Sequence, residues 1–231
     1  MCTQTRMSDV MFPKLVLFDL DGTLLDSAPD MLATVNRMRA ARGHGSMALE
    51  TLRPQVSKGA RAMSAIAFPE LGGEVPGELI AEFLAIYEQV LGENSTLFAG
   101  VPELLDAVET AGSRWGIVTN KPEYLARKIL PKLGWDTRSA ILIGGDTLPQ
   151  RKPHPLPLLH ALEALAVDVM DCVYVGDDQR DIDAARAANM RSIVALWGYR
   201  PEGDDPQTWG GSAMASAAAD LLQPKFWEAL P

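Results

Sequence analysis

Leu15-Val16-Leu17-Phe18-Asp19-Leu20-Asp21-Gly22-Thr23-Leu24 is the stretch from which the fold is read. Four apolar residues run into two carboxylates one residue apart, then a glycine and a hydroxyl. A short apolar run bounded by turn residues reads as a buried parallel strand, here Leu15 to Asp19. In an open α/β sheet, ligands bind in the crevice outside the carboxyl ends of the strands. With the chain extended through Asp19 and Asp21, residues i and i+2 project to the same side. Two acids then face one crevice, which is unfavourable unless a cation sits between them.

Downstream of Gly100 the chain alternates apolar strands with helical periods. Strands are expected at Trp115 to Thr119, Ala140 to Ile143, Cys172 to Val175 and Ser192 to Leu196. Between them, Leu104, Leu105 and Val108, then Leu125, Ile129 and Leu133, then Leu158, Leu159, Leu162 and Leu165, recur at helical spacing. Pro131 is expected to kink or end its helix. Ile182, Ala185 and Ala188 form a narrow helical face suited to close packing on a sheet. This alternation predicts a Rossmann-like parallel sheet with helices on both faces. The tail from Gly198 to Gly211 is turn-rich, and Ala213 to Ala219 reads as a helix or a compositional run.

Between Ser27 and Phe98 no strand is expected. Ser27 and Pro29 suit a helix start, followed by Met31, Leu32, Val35 and Met38 at helical spacing. Short helical pieces broken by Pro54, Ser57-Lys58-Gly59 and Pro69 precede a long amphipathic helix marked by Leu79, Ile80, Phe83, Leu84, Tyr87, Val90 and Leu91. Residues 27–98 therefore read as an all-helical insert in an α/β core made of 1–26 and 99–231.

A length of 231 residues allows one domain with such an insert. The formal net charge of −9 argues against a nucleic-acid partner, which needs a basic surface. It leaves room for a small anionic substrate met by local cations. Cys2 and Cys172 fit no zinc spacing, and Cys172 reads as a small core residue, so a reducing cytoplasm is the simplest compartment. No apolar run approaches the ~18–20 residues of a membrane span. Met1 to Pro13 lacks the apolar segment of a signal peptide and reads as a frayed extension, with Met7 or Met11 as alternative starts. His44, His154 and His160 match no metal spacing and are expected to be structural or surface residues.

Sequence-distant polar groups converge at one end of the expected sheet: Asp19 and Asp21, Thr119 and Asn120, Lys152, and Asp177, Asp178 and Asp181. Mg²⁺ takes hard oxygen ligands such as these carboxylates. A hydroxyl and an ammonium can hold phosphate oxygens as charge develops on them, and a carboxylate can act as nucleophile. Asp178 is open between helix N-cap and ligand. Lys121 is open between a phosphate contact and the surface. Trp115 and Trp197 read as core packing.

These stretches resemble, in order, the motifs of the haloacid dehalogenase-like hydrolases. Asp19-Leu20-Asp21-Gly22-Thr23-Leu24 is similar to the first, Val118-Thr119-Asn120-Lys121-Pro122 to the second, Lys152-Pro153 to the third and Gly176-Asp177-Asp178-Gln179-Arg180-Asp181 to the fourth. The resemblance implies Asp19 as nucleophile and metal ligand, and Asp21 as general acid/base that binds metal through its backbone carbonyl. It implies Thr119 and Asn120 as phosphoryl contacts and Lys152 as the counter-charge to nucleophile and phosphate. Asp177 and Asp181 would complete a Mg²⁺ site. Residues 27–98 resemble the family's helical C1 cap, in which Lys58, Gly59 and Arg61 would meet substrate. Lys58 departs from the small residue expected in that loop, and a cation there suits a substrate carboxylate.

Within the family, Gly59-Ala60-Arg61-Ala62-Met63, Phe98-Ala99-Gly100-Val101-Pro102 and Gly198-Tyr199 resemble phosphoglycolate phosphatases and bacterial N-acetylmuramic acid 6-phosphate phosphatases. The implied activity is hydrolysis of a small phosphate ester through an aspartyl-phosphate, by a monomer or homodimer. A dehalogenase or phosphonatase would not need Asp21. A phosphohexose mutase would carry a different cap loop, and a non-catalytic binding protein on this fold would be expected to have lost Asp19 or Asp177.

Overall fold

Leu15, Val16, Leu17 and Phe18 are fully buried, as a strand of four apolar residues must be when both its faces are covered. They form β1 in a computed structural model that describes residues 12–201 and 203–230. Cys2 and the alternative starts at Met7 and Met11 lie outside the described residues. The strands are β1 (Leu15–Phe18), β2 (Leu25–Asp26), β3 (Thr96–Leu97), β4 (Arg114–Val118), β5 (Leu142–Ile143), β6 (Cys172–Gly176), β7 (Arg191–Ala195) and β8 (Ala213–Ala215). The helices are α1 (Ala28–Ala40), α2 (Leu49–Leu52), α3 (Gly59–Ala67), α4 (Gly77–Val90), α5 (Val101–Thr110), α6 (Glu123–Ile129), α7 (Leu156–Leu165), α8 (Gln179–Ala187) and α9 (Pro224–Glu228), with short 3₁₀ turns between them.

Six strands make one parallel sheet in the order β5-β4-β1-β6-β7-β8. Phe18 lies level with Ile117 of β4 and Val175 of β6. The residues that follow each strand therefore emerge side by side. Alternate residues sort to the two faces: Val16, Phe18 and Ile117 pack on one, Leu15, Leu17, Val118 and Tyr174 on the other. No helix among the described residues is long and apolar enough to cross a membrane.

The expected helical segment is present as α1 to α4. Met31, Val35 and Met38 of α1 and Phe83, Tyr87 and Val90 of α4 are buried at helical spacing, with Met63 and Ala67 of α3. It is not purely helical. Thr96–Leu97 pairs antiparallel with Leu25–Asp26, so a two-stranded ribbon links the helices to the sheet. A pair this short carries no period-two signal, and its partner lies about 70 residues away in sequence. At the start of α1, Ser27 holds the N-cap position without a side-chain capping bond; the Ala28 N–H donates instead to Tyr199 Oη at 3.0 Å.

A second correction falls in the tail. Ala213–Ala215 is a strand, not a helix, and pairs in register with β7 (Ile193 with Ala213, Ala195 with Ala215). Alanine and methionine have little strand preference of their own, so the pairing edge of β7 decides the conformation. Pro131 acts as expected: α6 stops at Ile129 and continues as a 3₁₀ turn over Leu130–Leu133.

Candidate active site

Asp19 leaves β1 and its N–H donates to the Val175 carbonyl at 2.9 Å, which fixes it at the sheet edge. The chain then bends at Leu20 rather than running on extended. The N–H groups of Leu24 and Leu25 fold back onto the Leu20 carbonyl at 3.0 and 2.9 Å. Asp19 and Asp21 nevertheless line one cavity. Gly22, at φ +92°, allows the turn, and its bareness matters more: a Cβ there would stand 2.2 Å from Asp177 Oδ2.

Asp177 follows β6 and Asp181 lies in the first turn of α8. With Asp19 they offer buried carboxylate oxygens that all lie within 4.8 Å of one another. Burial, then the charges of Asp19 and Asp181, push the Asp177 carboxyl well above its ordinary range. Burial likewise raises Asp181, to about 6, against the pull of Lys152. Three hard oxygen donors that repel one another in a dry site fit a divalent cation of the Mg²⁺ type. Thr23 Oγ1 (2.9 Å), the Tyr199 N–H (2.9 Å) and Ser57 Oγ (3.0 Å) donate to Asp177 and fix its orientation.

Lys152 is buried beneath Asp19. Its Nζ lies 3.1 Å from Asp19 Oδ1 and 2.6 Å from Asp181 Oδ1, and it donates to Tyr174 Oη at 2.6 Å. Burial disfavours its charge, but Asp181 and Asp19 outweigh burial and hold the ammonium above its ordinary pKa. Asn120 Nδ2 donates to the Lys152 carbonyl at 2.9 Å, so the loops after β4 and β5 are tied together. Thr119 is buried at the end of β4 and lines the same cavity.

Asp178 resolves as an N-cap. Its side chain accepts from the Arg180 N–H at 2.9 Å, and its own N–H donates to Asp181 Oδ2 at 3.0 Å, a capping box for α8. Burial would raise its pKa, but ion pairing to Arg180 outweighs that and lowers it.

Lys121 is not a surface residue: its side chain is 2% exposed. Nζ lies 3.1 Å from both Asp21 oxygens and donates to Tyr87 Oη, on α4, at 2.6 Å. Tyr87 reads in sequence as one more member of an apolar helix face. The signal available was its hydroxyl, the one polar atom on the Leu79-Phe83-Tyr87-Val90 stripe. Lys58 and Arg61 are exposed but line the cavity, as do Gly59, Arg151 and Arg180. The cavity holds about 340 Å³, with Met31, Val56, Met63, Ile80, Phe83 and Leu84 on its apolar side. His44 packs edge-on to Phe68 and His154 accepts from the Leu156 N–H, both structural roles. Trp115 is core, edge-on to Trp135, and Cys172 is buried, its thiol pushed up to about 12 by desolvation.

Strand-end acids, a buried lysine and a following hydroxyl meet at one cavity, an arrangement suited to hydrolytic chemistry. The model of the haloacid dehalogenase-like hydrolases matches residues 16–195, and the chain belongs to that family, on its phosphatase branch. It is 59% identical over 222 residues to the phosphoglycolate phosphatase of Xylella fastidiosa, covering 96% of this chain and 97% of that one. The N-acetylmuramic acid 6-phosphate phosphatase of Pseudomonas aeruginosa is 41% identical over 210 residues, 90% of this chain and 93% of that one. Among solved structures, a predicted phosphoglycolate phosphatase from Haemophilus somnus superposes with a TM-score of 0.79 at 28% identity, over 90% of this chain and 96% of that one.

Proposed function

We propose that the chain is a Mg²⁺-dependent phosphomonoesterase that cleaves 2-phosphoglycolate through an aspartyl-phosphate. The carrying observation is Asp19: it is held at the sheet edge, with Lys152 at 3.1 Å and Asp177 and Asp181 within 4.8 Å, under a cavity lined by five cations. Asp19 attacks phosphorus, the ester P–O bond breaks, and Asp21 gives its proton to the leaving oxygen. Asp21 then takes a proton from the water that hydrolyses the acyl phosphate. Thr119 and Asn120 bind the transferring group and Lys152 offsets its charge. Asp19, Asp177 and Asp181, with the Asp21 carbonyl, would hold the metal, which supplies charge neutralisation on the phosphoryl oxygens. Residues 27–98 serve as a cap whose Lys58, Gly59 and Arg61 face the substrate.

One observation favours a second reading. A cavity of about 340 Å³ with a broad apolar side exceeds what a two-carbon acid fills, and suits a phosphorylated amino sugar such as N-acetylmuramic acid 6-phosphate. Side-by-side turnover of the two esters decides between them. EDTA is expected to abolish activity, and Asp19→Asn to lower kcat by about 10⁴-fold or more. EDTA-insensitive turnover, or an active Asp19→Asn protein, would sink the proposal.

A further inference from the structure

Of the five cations that line the cavity, four are tied up elsewhere or stand toward solvent. Arg180 is committed to Asp178 and the Ser57 carbonyl, and Arg61 donates to the Val75 carbonyl at 2.8 Å. Lys58 and Arg151 are exposed. Lys121 alone is buried and in direct contact with Asp21. Its two contacts with Asp21 are equal, at 3.1 Å, the arrangement of one N–H shared between two oxygens. Tyr87 takes a second N–H at 2.6 Å, and its ring centroid lies 4.4 Å from Nζ. An ammonium has three donors. Asp21 and Tyr87 are its acceptors among the described residues, and Lys121 lines the cavity, where a substrate oxygen can share its donors.

We propose that Lys121, anchored by Tyr87, is the residue that selects a carboxylate on the carbon next to the ester oxygen. The inference rests on Asp21 protonating the leaving oxygen, as proposed above. A leaving oxygen bonded to Asp21 brings its neighbouring carbon to the same place. A carboxylate on that carbon then comes within reach of Nζ, which contacts Asp21 and lines the same cavity. A charge-assisted bond formed in a buried site discriminates strongly against a ligand that lacks the charge. Lys58, on the rim, would instead meet a carboxylate several bonds further away. The two cations thus divide the substrate classes. Lys121 reads a carboxylate beside the scissile bond, and Lys58 reads a remote one.

The test compares kcat/KM for 2-phosphoglycolate with that for 2-hydroxyethyl phosphate, which replaces the carboxylate with a neutral group. Wild type is expected to favour phosphoglycolate, and Lys121→Met to reduce that ratio tenfold or more, mainly through KM. A variant that loses both activities in equal proportion would show that Lys121 only positions Asp21, and would overturn the assignment. Should the methionine variant fail to fold, Lys121→Arg and Tyr87→Phe carry the test. Both displace the charge and are expected to lower the ratio between threefold and tenfold; ratios within twofold of wild type in both overturn it. Wild-type turnover of the neutral ester checks the phosphatase reading separately. If wild type cleaves neither ester, that reading falls first and the selectivity falls with it.

Discussion

Two buried lysines stand on either side of the Asp19–Asp21 turn, and each is built the same way. Lys152 clasps Asp19 and Asp181 and donates to Tyr174; Lys121 clasps Asp21 and donates to Tyr87. Both tyrosine bonds are 2.6 Å. The difference is in where the tyrosines come from. Tyr174 is the middle of β6, with its hydroxyl donating to the Val118 carbonyl at 2.7 Å, so the nest around Asp19 is made from the sheet and the loop and helix that follow its strands. Tyr87 belongs to α4, across the β2–β3 ribbon, so the nest around Asp21 is completed only by the helical insert. On the proposed mechanism, the half of the site that attacks phosphorus is therefore fixed by the core. On the same proposal, the half that handles the leaving group depends on the insert through Tyr87.

The largest effect should come from breaking the core nest. Lys152→Met leaves Asp19 and Asp181 without their shared cation, and kcat is expected to fall about 10²–10³-fold for every ester, with KM little changed. Steady-state kinetics on two unrelated esters checks it. A loss confined to one substrate would show that the core nest also selects, and the division between halves would fail.

Next comes the anchoring of the insert. Asp30 on α1 is fully buried and accepts from the N–H groups of Gly92 and Asn94, each at 2.7 Å, and from the Ser95 hydroxyl. It thereby fixes the loop that returns the chain from α4 to β3. Asp30→Asn turns one acceptor into a donor facing donors. It should cost about 2 kcal/mol in urea unfolding and shift KM more than kcat. A kcat loss as large as that of Lys152→Met would contradict the separation.

A smaller, reversible effect follows from the acids of the core nest. Asp181 is raised from an ordinary 3.8 to about 6, and Asp177 is raised as well. A carboxyl raised on folding contributes stability that is fully present below the ordinary value and is lost as pH rises through about 6. The metal-free protein should therefore lose this contribution between about pH 4 and 6. If these acids hold Mg²⁺ as proposed, the ion must displace those protons at low pH. Its midpoint for raising Tm should thus fall severalfold, by about five or more, from pH 5 to pH 6. A midpoint that is flat with pH would mean that these acids are not the ligands.

The core nest was legible in sequence and the insert's was not, for a physical reason. Asp19 and Asp177 each follow directly on a strand, so a βα reading places them at one sheet edge, and Lys152 joins them through its resemblance to the third motif. Phe18 lying level with Ile117 and Val175 brings the ends of β1, β4 and β6 together, and Val118 paired with Ile143 adds the loop that carries Lys152. Tyr87 is a helix residue amid apolar ones, and only the packing of α4 over the sheet reveals that its hydroxyl meets Lys121. Lys121 itself was ambiguous because a lysine after a strand is usually solvated. The same limit hid β8 and the β2–β3 ribbon, whose residues take their conformation from partners distant in sequence.

The smallest predicted effect bears most directly on the comparison. Ser57, from the insert, donates through Oγ to Asp177 Oδ2 at 3.0 Å, the one side-chain bond from the insert to the core acids Asp19, Asp177 and Asp181 among the described residues. Asp177 keeps Thr23 and the Tyr199 N–H without it, and the bond from Arg180 to position 57 uses the Ser57 carbonyl. Ser57→Ala should therefore cost no more than about 1 kcal/mol of stability and change kcat by less than about threefold, because the acid stays oriented by core groups. Urea midpoints and steady-state kinetics on a single ester suffice. A tenfold fall in kcat would mean that the insert also governs the nucleophile's half of the site, and the two nests would then be one coupled unit.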